Sequence, residues 1–273
     1  MLTTESLSFS HSANFQLANI DLEIKPGEIV SLIGPNGSGK STFLRLISRL
    51  IAPHSGTVVL DGRSIEQMKT KEVAKTLAML PQMQDHQLDL TVGELVEFGR
   101  HPHRKTYGKP SHEDEEMVEW ALSVTKLSSY RNRMLHSLSG GERQRAWIAM
   151  AIAQHPKILL LDEPTTYLDI SHQLEVMELV RSLNETSGMT VVMVLHDINQ
   201  AARYSDRLIV LKEGQVRFDG IPQCVFCQDM FRSIFEIEAD IFMKDGLYFF
   251  SPKKLRKGDC CETGRYEKRT VGH

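Results

Sequence analysis

Gly34-Pro35-Asn36-Gly37-Ser38-Gly39-Lys40-Ser41, with Thr42 behind it, has the residue types and spacing of a phosphate-cradling loop, G-x-x-x-x-G-K-[ST]. Its glycines let the backbone curl into a nest of N–H donors. A helix starting near Lys40 points its positive dipole end at the same anion. Lys40 is expected to reach the β- and γ-phosphates of a nucleoside triphosphate, and the Ser41 hydroxyl to ligate Mg²⁺.

Asp162 and Glu163 end an apolar run at 158–161. The tip of a buried strand can present both acids at the carboxyl edge of a sheet, where open α/β sheets bind their ligands. Asp162 is expected to hold the Mg²⁺, directly or indirectly. Glu163 is expected to polarise the attacking water as a general base.

Leu138-Ser139-Gly140-Gly141-Glu142-Arg143-Gln144-Arg145 is a second anion-binding device. Ser139 and the amides of Gly140 and Gly141 form the mouth of a helix running from Glu142, which suits a phosphate. This octapeptide resembles the signature motif of the ABC ATPases, and the resemblance extends over about residues 2–219. It implies ATP as the nucleotide and a head-to-tail homodimer. Each ATP is then sandwiched between one chain's P-loop and the other chain's Leu138, Ser139, Gly140, Gly141 and Glu142. The resemblance also implies roles for single residues. Gln82 matches the glutamine that touches Mg²⁺ or water and relays nucleotide state to the helical subdomain. Asp169, in Tyr167-Leu168-Asp169, matches the D-loop aspartate at the dimer seam. His196 matches the switch histidine at the γ-phosphate. His11 stands where the family stacks an aromatic residue on adenine; Phe15 is an alternative platform, and Phe9 is expected in the core.

One P-loop and one signature exclude a tandem arrangement, and the segment between them carries no heptads. The stretch Leu90-Thr91-Val92-Gly93-Glu94-Leu95-Val96-Glu97-Phe98-Gly99-Arg100 looks like the ATPases of iron(III)-siderophore, haem and cobalamin importers. So does Thr165-Thr166-Tyr167-Leu168-Asp169-Ile170, with His172-Gln173 after it. The match is strongest to the ferric-siderophore group. It implies two multi-span permease subunits as partners and, indirectly, a substrate-binding receptor. The coupling helices of the permeases are expected in a groove beside Gln82, near residues 86–104. An ABC ATPase of iron–sulfur cluster assembly, or a non-hydrolysing nucleotide-binding module, is the competing reading.

The elements that must position these residues read as an α/β chain. Strand patterns at 2–9, 15–24, 28–33 and 57–60 precede or flank the P-loop helix at 41–50. Helix and strand then alternate from 142 to 204, as a parallel sheet with helices on both faces requires. The expectation is a P-loop fold with a mostly parallel core sheet, an antiparallel β subdomain and a helical subdomain inserted at about 91–145. The ATPase domain is expected over 1–250, followed by a charged, disordered tail from Ser251.

The 273 residues carry a formal net charge of −3, which offers no electrostatic footprint for nucleic acid. No window reaches the ~20 apolar residues of a membrane-spanning helix, and residues 1–12 lack a basic stretch followed by an apolar run, so no signal peptide is expected there. A peripheral subunit on the cytoplasmic face of the membrane is expected. Cys224 and Cys227 have C-x-x-C spacing without a second pair, and Cys260 and Cys261 fall in the tail, so no metal site is expected from them. His101, His103 and His112 read as surface residues.

Overall fold

A computed structural model describes residues 1–12, 15–82, 88–104 and 110–255, and the side chains of His11, Ser12 and Phe15 fall outside the description. Strands β1 (Leu2–Ser12) and β2 (Phe15–Ile24) pair antiparallel, then β3 (Ile29–Ile33) runs into the P-loop and α1 (Lys40–Ile47). β4 (Ser55–Leu60) and β5 (Arg63–Ser64) return to β1, giving an antiparallel sheet of order β2-β1-β4-β5. α2 (Thr70–Thr76) leads straight into β6 (Leu77–Leu80).

Among the described residues, three α-helices follow before the next strand: α3 (Val92–Phe98), α4 (His112–Val124) and α5 (Gly140–Ala153). All three begin with a capping box, built on Thr91 and Glu94, Ser111 and Asp114, and Ser139 and Glu142. β7 (Ile158–Asp162), α6 (Ile170–Ser187), β8 (Thr190–Val194), α7 (Ile198–Tyr204) and β9 (Arg207–Lys212) then alternate, and β10 (Gln215–Gly220) closes a hairpin. The second sheet has order β10-β9-β3-β8-β7-β6, parallel except for the β10 edge.

Every residue of β3, β7 and β8 is buried. The reason is that both faces of the sheet are covered, so period-2 alternation sends apolar side chains into two cores rather than into one core and water. Leu159, Leu161, Val191 and Met193 face the helices. Leu160, Val192, Val194 and Leu32 face α1 and the antiparallel sheet, around Phe43 and Leu44.

α5 runs unbroken through residue 145, so its first turn carries the signature while its last turns pack near β6. Arg100, 1% exposed, fastens the helices together: its Nε donates to Asp114 Oδ1 (2.9 Å) and its Nη1 to the Ala153 carbonyl (2.9 Å).

The chain ends in α8 (Pro222–Val225), α9 (Gln228–Ile234) and a two-stranded sheet, β11 (Ile237–Lys244) with β12 (Leu247–Leu255). The strand therefore enters the expected tail, since Ser251–Leu255 pair with β11; residues 256–273, with Cys260 and Cys261, lie outside the described residues. Pairing with the half-apolar β11 overrides the low apolar content of this stretch. No helix among the described residues is long and apolar enough to cross a membrane.

Candidate functional site

The P-loop sits between the carboxyl end of β3 and α1. Gly34 takes φ 145° and Gly39, which caps α1, takes φ 106°, both outside the range of residues with a β-carbon. At Gly34 a β-carbon would also collide with the Leu211 carbonyl oxygen. Lys40 folds back over the loop, and its Nζ donates to the carbonyls of Gly34 (2.8 Å) and Pro35 (3.0 Å). Burial pushes the Lys40 ammonium pKa down, against the pull of Glu163 and Asp162. Ser38 is buried; its N–H donates to Pro35 and its carbonyl accepts from Gly214, while its hydroxyl has no hydrogen-bond partner among the described residues.

β7 delivers the acids. Asp162 is the last strand residue and is 2% exposed. Its Oδ1 accepts the Ser41 hydroxyl at 2.8 Å. Burial raises its pKa against that hydrogen bond, and the charge of Glu163 pushes the same way. Glu163 takes φ 55°, a left-handed conformation that costs a non-glycine residue ~1–3 kcal/mol. That turn breaks strand alternation, which is how consecutive acids come to face one edge.

Glu163 is the hub of the site. Its Oε1 lies 2.6 Å from His196 Nε2, which must donate to it. Its Oε2 accepts from Gln82 Nε2 (2.7 Å) and from the Thr166 hydroxyl (3.1 Å). Gln82, the adjacent pair Asp162 and Glu163, and His196, three segments remote from one another in sequence, thus converge with Lys40 and Ser41. Thr166 was missed, although its spacing of three from Glu163 is the one signal that could have found it.

A cavity of about 410 Å³ opens over this loop, lined by Asn36, Gly37, Gly39, Lys40, Ser41, Thr42 and Glu163 among others. Phe9 lines it too, with Arg45 and Ile51. Phe9 packs against the core as expected, but its ring is only half-buried, 5.2 Å from that of His54, and also lines the cavity. The strand alternation that points Leu7 inward is shifted by irregular pairing between Leu7 and Phe9, which sequence periodicity does not reveal. The side chains of His11 and Phe15, the other two platforms, lie outside the described residues.

No signature residue lines that cavity. At the mouth of α5, Ser139 Oγ accepts from the Glu142 N–H (3.2 Å) and Glu142 Oε2 accepts from the Ser139 N–H (2.8 Å). Gly140 is exposed, Gly141 and Leu138 are buried, and the Ser139 N–H holds the Glu142 carboxyl below its usual pKa. Asp169 caps α6, accepting from the His172 N–H (2.9 Å) and the Ser171 hydroxyl (2.8 Å), while Tyr167 beside it is 92% exposed.

Of the three histidines read as surface residues, His101 and His112 are exposed, but His103 is half-buried and bonds the Gln154 carbonyl (2.8 Å). Cys224 and Cys227 are free thiols, and no group of three potential metal ligands occurs among the described residues. The docking range at 86–104 is only partly described, because residues 83–87 are not.

The family model for ABC transporter matches residues 17–166. The petrobactin import ATP-binding protein FpuC of Bacillus anthracis is 61% identical, over 96% of this chain and 97% of its own. The iron(3+)-hydroxamate import ATP-binding protein FhuC of Bacillus subtilis is 45% identical, over 88% and 89%. Among solved structures, an inward-facing metal-chelate type ABC transporter superposes with a TM-score of 0.81 at 28% identity, over 93% of this chain and 97% of that one. A dimeric ATP-binding cassette bound to ADP and Pi gives a TM-score of 0.70 at 35% identity, over 81% and 99%. The phosphate loop, the acid pair at the end of β7 and the matched family model agree, and the chain belongs to the ABC transporter family as one of its ATP-binding subunits.

Proposed function

We propose that this chain binds and hydrolyses ATP to power import of an iron(III)-siderophore complex, as a peripheral subunit on the cytoplasmic face of the membrane. The observation that carries hydrolysis is the convergence of Gln82, His196 and Thr166 on Glu163, beside the Ser41–Asp162 pair. The substrate class rests on the relatives, whose names are those of petrobactin and hydroxamate import proteins. Those names speak against the alternative of a soluble cofactor-assembly ATPase.

The donor set suits Mg²⁺: a serine hydroxyl, a carboxylate and a nearby amide oxygen are hard oxygen ligands. Ser41, Asp162 and Gln82 would hold the ion, which when bound neutralises charge on the β- and γ-phosphates. Lys40 and the amides of Gly37, Ser38 and Gly39 bind and orient the triphosphate. Glu163 takes a proton from the attacking water. Its two oxygens accept three hydrogen bonds within the chain, and Oε1, which holds His196 alone, keeps a lone pair for the water. His196 then donates to the phosphate, and Gln82 carries the change to the helices it precedes.

Two observations support a dimer: the described residues that line the P-loop cavity do not include the signature, and a similar ATP-binding cassette is dimeric. A second, inverted copy brings its Ser139, Gly140 and Gly141 to the γ-phosphate, with Asp169 at the seam. ATP can drive closure only through its unequal affinity for open and closed states. Two multi-span permease subunits receive that motion. A groove of about 390 Å³ lined by Leu50, Val73, Met79, Pro81 and Gln154 lies next to Gln82 and offers an apolar floor for a coupling helix.

Glu163→Gln tests the reading. Turnover is expected to fall by about two orders of magnitude or more, as loss of a general base requires, while Mg-ATP accumulates as a stable dimer. Hydrolysis at the parent rate would overturn the role of Glu163. Co-purification from solubilised membranes should bring down a multi-span partner, and recovery with soluble proteins alone would overturn the import role.

A further inference from the structure

His172 stands where the D-loop and the signature loop of one chain meet. It lies in the first turn of α6, and its ring Nδ1 is 2.8 Å from Asp169 Oδ1, the oxygen that also accepts the His172 N–H. The His172 N–H, the Ser171 hydroxyl and the ring together hold the Asp169 carboxyl at about 2, so it is ionised and Nδ1 must carry the proton. That bond fixes the plane of the imidazole. The ring then abuts the signature: a β-carbon on Gly141 would fall inside the contact radius of His172 Cγ and Cδ2. Leu168 reaches within 3.8 Å of the corresponding point on Gly140.

The same turn of α6 also reaches the helix behind His196. Gln173 Nε2 donates to the Leu168 carbonyl (2.9 Å), and Gln173 Oε1 accepts from Gln200 Nε2 (2.7 Å). Gln200 is held in turn by Asp197, which follows His196 directly (3.0 Å).

We propose that His172 is a positioning residue that sets the signature loop from the D-loop, so that the two shift as one piece. The inference rests on reading the signature as the cradle for the partner's ATP. Capping does not need this side chain, because Asp169 already binds the backbone N–H of residue 172. The ring instead fills the space over a glycine, and packed contacts of this kind transmit displacement rather than absorb it. Through Gln173 and Gln200, the piece that carries one chain's signature is tied to the helix carrying that chain's own switch histidine. Each subunit would thus link the ATP it hydrolyses to the ATP it completes for its partner.

The test uses the full chain in the Glu163→Gln background, with Mg-ATP-driven dimerisation followed by light scattering. Binding of a fluorescent ATP analogue to the single subunit is measured alongside. His172→Ala should raise the ATP concentration for half-maximal dimer about tenfold, the scale of one lost hydrogen bond with its packing. Analogue affinity should stay within about twofold, because the P-loop is untouched; a general loss of fold would move both readouts. His172→Asn, which keeps a donor toward Asp169, should restore dimerisation, whereas His172→Phe, which keeps only bulk, should not. If His172→Ala dimerises as readily as its parent, or Phe restores as well as Asn, the inference is overturned and the reading of the signature stands. If the parent itself stays monomeric, the reading of the signature falls and this inference with it.

Discussion

Arg100→Met tests how the helices that carry the signature are held. The Arg100 side chain is 1% exposed and that of Asp114 6% exposed, with Nε and Oδ1 2.9 Å apart. Removing one partner of a buried ion pair costs ~3–5 kcal/mol, because the other charge stays buried. Here the lower end applies, about 3 kcal/mol, since Asp114 Oδ2 keeps its bonds to the Ser111 N–H (3.0 Å) and hydroxyl (2.8 Å). At the ~2–3 kcal/mol/M expected for urea with a chain this long, the unfolding midpoint should drop by about 1 M. Adding Asp114→Asn removes the stranded charge and should recover about half of the loss. Acid supplies a second, independent signature. Burial pushes the Asp114 carboxyl up, but the Ser111 N–H, Arg100 and the Ser111 hydroxyl overcome it and hold the group at about 2, against 3.8 unfolded. A depressed carboxylate stabilises the fold above its unfolded pKa, so the contribution is complete above about pH 4 and is lost as pH falls toward 2. At ~1.36 kcal/mol per unit the gap corresponds to about 2 kcal/mol. In Arg100→Met that acid-dependent loss should shrink, because only the Ser111 N–H and hydroxyl are left to oppose burial. Urea unfolding followed by circular dichroism at pH 7 and down to pH 3 gives both numbers. A loss under 1 kcal/mol at pH 7 with an unchanged slope would refute the reasoning.

Two further substitutions probe the nucleotide and the dimer. Phe9→Ala should weaken ATP binding by about tenfold, the scale of one base–aromatic stack, and leave tripolyphosphate binding unchanged; calorimetry with both ligands checks this, and equal loss for both would rule out a base platform. Glu142→Gln keeps both capping hydrogen bonds but removes a carboxylate that the Ser139 N–H holds ionised at the mouth of α5. With Glu163→Gln as background, it should lower the ATP concentration for half-maximal dimer by severalfold, an effect that added salt diminishes, and an unchanged or raised concentration would show that this charge does not oppose the partner's phosphate.

The phosphate loop was legible because its chemistry is local. Nine consecutive residues, Gly34 to Thr42, supply the glycines, the cation and the hydroxyl in one turn of backbone, and their order alone dictates the shape. The same holds for the capping box at Ser139 and Glu142 and for the apolar runs of β3, β7 and β8, where burial on both faces erases alternation. Tertiary structure decided whatever depended on how separate segments meet. The left-handed turn at Glu163, the reach of Gln82 and His196 to its two oxygens, and the entry of Phe9 into the cavity depend on packing of remote elements. So do the paired strand at Ser251–Leu255 and the seat of His172 against Gly141. Short-range sequence sets dihedral preferences and periodicity, but a contact between residues far apart in the chain exists only once the cores on both sides of the sheet have closed.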